Sequence, residues 1–181
     1  IRELVKHVAV ILPFEEDFYI KHKIPATFVG HPLLDNNLSP QDTALEKPAE
    51  DPTVVGLLPG SRDREIVKLL PLMLDAARIL ARQILKVKFI ILQAPTVKRN
   101  MLEGIIHKHG GSDGFEIITG DVGKVFEKCE LVIAASGTVT LEAAISGTPM
   151  VIIYKVSPAS YWLGRIMVRV KHIGLVNLIA G

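Results

Sequence analysis

From residue 53 onward the chain alternates short apolar runs with segments of helical period. Val54–Leu58, Val87–Leu92, Phe115–Ile118, Leu131–Ala134 and Met150–Tyr154 are apolar apart from Lys88 and Glu116, the pattern of strands covered on both faces. Between the first two, Arg64–Gln83 sets Ile66, Leu69, Leu70, Met73, Ala76, Ala77 and Leu80 along one helical face. Pro71 is expected to kink that helix or divide it in two. Thr96–His109 and Asp121–Lys128 are further helices, the second loosened by Gly120 and Gly123, and Thr140–Ile145 is a short helix of mostly small residues. Strict β/α alternation predicts an α/β fold, a Rossmann-like doubly wound parallel sheet with helices on both faces.

The first residues follow another pattern. His7–Leu12 and Thr27–Val29 read as short strands, joined by a helix from Pro13 to Tyr19 whose first turn is acidic (Glu15, Glu16, Asp17). Gly30-His31-Pro32 forces a turn. Two strands and one helix are too little to close a core, so residues 1–36 read as the end of an N-terminal domain. Residues 37–52, with Pro40, Pro48 and Pro52 among charges, read as a linker. Residues 53–181 read as a ligand-binding domain, incomplete at its C-terminus.

Ligands of such sheets bind beyond the carboxyl ends of the strands, and two glycine turns fall at that edge. Ser136-Gly137-Thr138 joins a strand to a helix: Gly137 allows close backbone approach, the hydroxyls add polar contacts, and unpaired helix-start amides suit an anion such as phosphate. Glu142, four residues after Thr138 on the same helical face, can accept two hydroxyl hydrogen bonds, as from a ribose or sugar. The same residues would equally suit a plain N-cap at Ser136 and a solvated helix carboxylate. The other turn, Leu58-Pro59-Gly60-Ser61-Arg62, brings a guanidinium that matches a diphosphate leaving group. It lacks the Gly-Lys-Ser/Thr ending of a P-loop and the GxGxxG spacing of a dinucleotide site, which excludes those two phosphate-binding modes.

Composition adds an asymmetry. Residues 1–50 carry 5 Lys/Arg against 8 Asp/Glu, leaving 16 against 11 for residues 51–181, and no acid follows Glu142. Tyr161–Lys171 places Trp162, Leu163, Ile166, Met167 and Val170 on one side with Arg165 and Arg169 beside them, a pattern suited to packing on the sheet or to contact with an anionic membrane surface. The apolar runs are far shorter than the roughly 18 residues of a membrane span and no signal peptide opens the chain, so a cytoplasmic address is expected. Cys129, the one cysteine, sits beside Glu127, Lys128 and Glu130 and reads as structural. His107 and His109, two apart, do not share a helical face, so no metal site is assigned.

The runs Leu12-Pro13-Phe14-Glu15, Gly30-His31-Pro32, Leu58-Pro59-Gly60-Ser61-Arg62, Ser136-Gly137-Thr138-Val139-Thr140-Leu141-Glu142 and Asn177-Leu178-Ile179-Ala180-Gly181 together resemble the lipid-A-disaccharide synthase family, over essentially the whole chain. The resemblance implies a GT-B glycosyltransferase of two Rossmann-like halves, of which this chain holds the end of the acceptor half and most of the donor half. It implies transfer of 2,3-diacylglucosamine from its UDP derivative to 2,3-diacylglucosamine 1-phosphate, with UDP as leaving group, no cofactor, no obligatory metal and no nucleic-acid partner. By motif, Arg62 would stabilise the UDP diphosphate on a turn shaped by Gly60 and Ser61. Ser136, Gly137 and Thr138 would hold phosphate, Glu142 the ribose, and Asn177 the donor or nucleotide. The family's proposed catalytic base, an aspartate of the acceptor half, has no counterpart in these 181 residues. The competing readings are another UDP-sugar enzyme, such as a muramyl-pathway N-acetylglucosaminyltransferase or a UDP-N-acetylglucosamine epimerase, and a nucleotide-binding module without chemistry of its own.

Overall fold

The computed structural model describes residues 4–35, 51–110 and 114–155. Most of the expected linker, Asn177 and the basic Tyr161–Lys171 segment lie outside the described residues.

The N-terminal unit is a single βαβ turn of chain: β1 (Val8–Val10), α1 (Pro13–Lys21) and β2 (Ala26–Phe28), with the strands parallel and Val8 opposite Ala26. Pro13 opens α1 where its missing N–H costs nothing. The acidic first turn is used locally. Glu15 accepts a hydrogen bond from the Leu12 amide at 3.2 Å, and Glu16 accepts one from the Phe28 amide at 3.0 Å, tying helix to strand. His31 has a comparable role, its Nδ1 accepting from the Leu33 amide at 3.1 Å to cap a single 3-10 turn at Pro32–Leu34. Only Val10 and Ala26 are buried among this unit's described hydrophobic residues, while Phe14, Phe18 and Ile20 of α1 stay exposed.

The second unit is a five-stranded parallel sheet of β3 (Thr53–Leu58), β4 (Val87–Gln93), β5 (Phe115–Thr119), β6 (Leu131–Ala135) and β7 (Met150–Ile153), in the order β5-β4-β3-β6-β7. Its helices are α2 (Asp63–Gln83), α3 (Arg99–Lys108), α4 (Val122–Lys128) and α5 (Val139–Ile145). Alternate strand residues feed two cores, as a sheet covered on both faces requires. Leu57 and Ile91 pack with Ile66, Leu70 and Met73 of α2 and Leu102 of α3. Leu58, Ile90 and Val132 pack with Val125 and Phe126 of α4 and Ala143 of α5. Cys129 belongs to this second core, 2% exposed, in keeping with a structural role.

Of the two outcomes expected at Pro71, division of the long helix is not followed: α2 is one element from Asp63 to Gln83. The carbonyl deprived of its donor belongs to Val67, an exposed residue to which water has access. The helix expected from Thr96 begins at Arg99, because Ala94–Val97 closes a turn (Val97 N–H to Ala94 O, 3.0 Å) that buries Val97. Among the described residues no helix is long and apolar enough to cross a membrane.

Candidate functional site

Strand order decides where a site can form. β3 is central, with β4 on one side and β6 on the other, so the connections leaving β3 and β6 diverge to opposite faces and open a crevice between their carboxyl ends. Leu58 lies opposite Ala134 in that pair, which sets the two glycine turns side by side. A β-carbon built on Gly60 would stand 3.6 Å from that of Ala135. A cleft of about 450 Å³ lies there, lined by Gly60, Ser61 and Arg62 from one turn, by Ser136, Gly137 and Thr138 from the other, and by Glu142. Seven of the eight residues singled out from sequence therefore share one cleft; Asn177, the eighth, lies outside the described residues.

The β6–α5 turn is held from behind. The Ser136 amide donates to Ile153 O at 3.0 Å, and buried Thr140 donates through Oγ1 to Gly137 O at 2.7 Å. The amides of Gly137, Thr138 and Val139 have no acceptor among the described residues. The alternative reading of Ser136 as an N-cap is not followed: the cap position is Thr138, in αR conformation and without a side-chain cap bond. Glu142 is not a fully solvated carboxylate either. It is half-buried, and loss of water pushes its carboxyl above the ordinary value.

The β3–α2 turn has different chemistry. Gly60 has φ +106°, a left-handed conformation that favours glycine. Arg62 precedes α2 in extended conformation, and its Nη1 donates to Glu65 Oε1 at 2.8 Å. Arg62 is the one cation among the described lining residues, which also include the carboxylates of Glu65 and Glu142.

Sequence reasoning missed the scaffold of the cleft's far wall. Gln93 ends β4 as a buried polar residue; its Nε2 donates to Val97 O at 2.8 Å and its Oε1 accepts from Thr119 Oγ1 at 3.1 Å. The Gly120 amide donates to Gln93 O at 2.9 Å, and Thr96 Oγ1 donates to Ser61 O at 3.0 Å. A lone glutamine closing an apolar strand was the available signal. Glu65 was missed too, although its spacing of three from Arg62 announces a helical ion pair.

Compared with known proteins, the chain is 44% identical over 98% of its length to a lipid-A-disaccharide synthase of Syntrophus aciditrophicus, 42% over its full length to one of Geobacter metallireducens, and 39% over 99% to one of Coxiella burnetii. It spans about half of each of these relatives, 47%, 48% and 48% of their lengths. The family model described as lipid-A-disaccharide synthetase matches residues 1–181, and the chain belongs to that family.

Proposed function

We propose that residues 53–181 form the UDP-sugar binding portion of an inverting glycosyltransferase that joins UDP-2,3-diacylglucosamine to 2,3-diacylglucosamine 1-phosphate in lipid A biosynthesis. In that reaction the acceptor hydroxyl attacks the anomeric carbon, its proton passes to a base, and the bond to UDP breaks with the electron pair leaving on the diphosphate. The base belongs to a segment outside these 181 residues, so this chain by itself binds donor without turnover. Arg62 stabilises the charge that develops on the diphosphate. The amides and hydroxyls of the Ser136–Thr138 turn receive phosphate, Glu142 accepts from the ribose hydroxyls, and Asn177 contacts donor or nucleotide. The basic, apolar-sided Tyr161–Lys171 sequence contacts anionic lipid on the inner face of the cytoplasmic membrane; unchanged sedimentation of an Arg165→Glu, Arg169→Glu variant with anionic vesicles would remove that part.

The observation that supports this reading best is the convergence of a cation, two helix-starting turns and a half-buried carboxylate on one cleft at the sheet's switch point. The test is calorimetric titration of the folded chain with UDP and CMP, with and without EDTA. Binding that prefers UDP and ignores EDTA is expected. Preference for CMP, or dependence on a divalent cation, would reject it. If no nucleotide binds, the titration is repeated on the full-length protein, where a second failure rejects the assignment.

A further inference from the structure

Glu65 lines the cleft, yet the donor-site reading gives it no task. Its two oxygens have separate surroundings. Oε1 accepts from Arg62 Nη1 at 2.8 Å, and Oε2 lies 2.7 Å from where a β-carbon on Gly60 would stand, so the carboxylate rests across the turn in space that only glycine leaves open. Its backbone is anchored by the next residue, Ile66, which is 1% exposed in the core. Arg62 has no such anchor: its side chain is 79% exposed, against 37% for Glu65, and the Glu65 bond is its one side-chain partner among the described residues. A free arginine of that kind samples many rotamers.

We propose that Glu65 is a positioning residue: it carries the rigidity of α2 to the Arg62 guanidinium and holds it at the cleft. The proposal rests on the donor-site reading above. The single bond engages one of five guanidinium N–H donors, leaving four for a diphosphate. Glu65 therefore shares Arg62 with the ligand instead of competing for it.

The full-length protein tests this with UDP and with uridine, which lacks the diphosphate. Glu65→Ala is expected to weaken UDP binding about three- to fivefold, the scale of an exposed ion pair. Glu65→Gln, which keeps shape and one acceptor, should weaken it less, and uridine binding should be unchanged in both. In an Arg62→Ala background Glu65→Ala should have no further effect. Tighter UDP binding in either variant would show that the carboxylate competes with the ligand and would overturn the proposal. Equal losses for UDP and uridine, or a loss that persists without Arg62, would overturn it as a general structural effect. Should Glu65→Ala not fold, Glu65→Gln decides alone, compared in the wild-type and Arg62→Ala backgrounds. Failure of the wild-type protein to bind UDP would reject the donor-site reading itself, an outcome distinct from all of these.

Discussion

The two turns that face each other across the cleft differ in how they supply their chemistry. The β3–α2 turn starts a 21-residue helix and presents an exposed, paired cation; the β6–α5 turn starts a 7-residue helix and presents a half-buried carboxylate. Their glycines differ as well. Gly60 is held at positive φ against Glu65 and Ala135, whereas Gly137 is outside that region and a β-carbon there would meet nothing within 4 Å. The first turn is thus constrained by its own fold; on the donor-site reading proposed above, the second would be constrained by the phosphate it receives.

The comparison is broken most easily at Arg62. In the full-length enzyme Arg62→Ala should lower turnover by about a hundredfold or more, the scale of removing one donor to a developing oxyanion. Weakening of UDP binding should be smaller, because charge on the diphosphate grows toward the transition state. Steady-state kinetics beside UDP titration measure both; unchanged turnover with a loss in kcat/KM equal to the loss in UDP affinity would mean that Arg62 contributes to binding alone. Gly60→Ala comes next. It forces an L side chain to positive φ and into Glu65 Oε2, and should lower folding stability by about 1–3 kcal/mol, read by chemical denaturation.

Glu142 tests the opposite wall. Hydroxyl donors favour the ionised carboxylate, while burial already pushes the free group's carboxyl up. UDP affinity should therefore fall as the pH drops through a range above that of ordinary carboxylates. Glu142→Gln should weaken UDP about tenfold, or about 1.4 kcal/mol, and flatten that pH dependence. Folding stability runs the other way. A carboxyl raised in the folded state stabilises the fold at low pH, and this contribution is lost as pH rises through the raised value, so the glutamine variant should lose less stability on going to neutral pH. Wild-type UDP affinity in a folded Glu142→Gln protein would remove the ribose assignment.

Period and punctuation located the sheet because Val54–Leu58 and Leu131–Ala134 are buried on both faces and flanked by glycine turns, so local pattern and tertiary need agree. Both turns were visible for the same reason. Gln93 and Thr96 were not, since Gln93 pairs with Thr119 and Thr96 with the Ser61 carbonyl, pairings that depend on strand order, and the Gln93 bond to the Val97 carbonyl depends on the irregular turn after β4. The continuity of α2 through Pro71 was equally hidden: periodicity marks the proline but not whether the deprived carbonyl belongs to an exposed residue. The burial of Glu142 depends on how α5 lies against the cleft, which no spacing within its own helix reveals.

Gly137 separates constraint by fold from constraint by ligand. A β-carbon at this position fills open space, φ needs no left-handed conformation, and the turn is already held by the Thr140 and Ser136 bonds. Gly137→Ala should therefore change folding stability by no more than about 0.5 kcal/mol, and the lower entropy of its unfolded chain favours a slight gain. A phosphate lying on the Gly137, Thr138 and Val139 amides would meet the new methyl group, and UDP binding should weaken about threefold while uridine binding is kept. Loss of stability comparable to that of Gly60→Ala would mean that both turns are constrained by the fold alone. Unchanged UDP affinity with unchanged stability would place the phosphate on the β3–α2 turn and leave Glu142 as the contribution of the second wall.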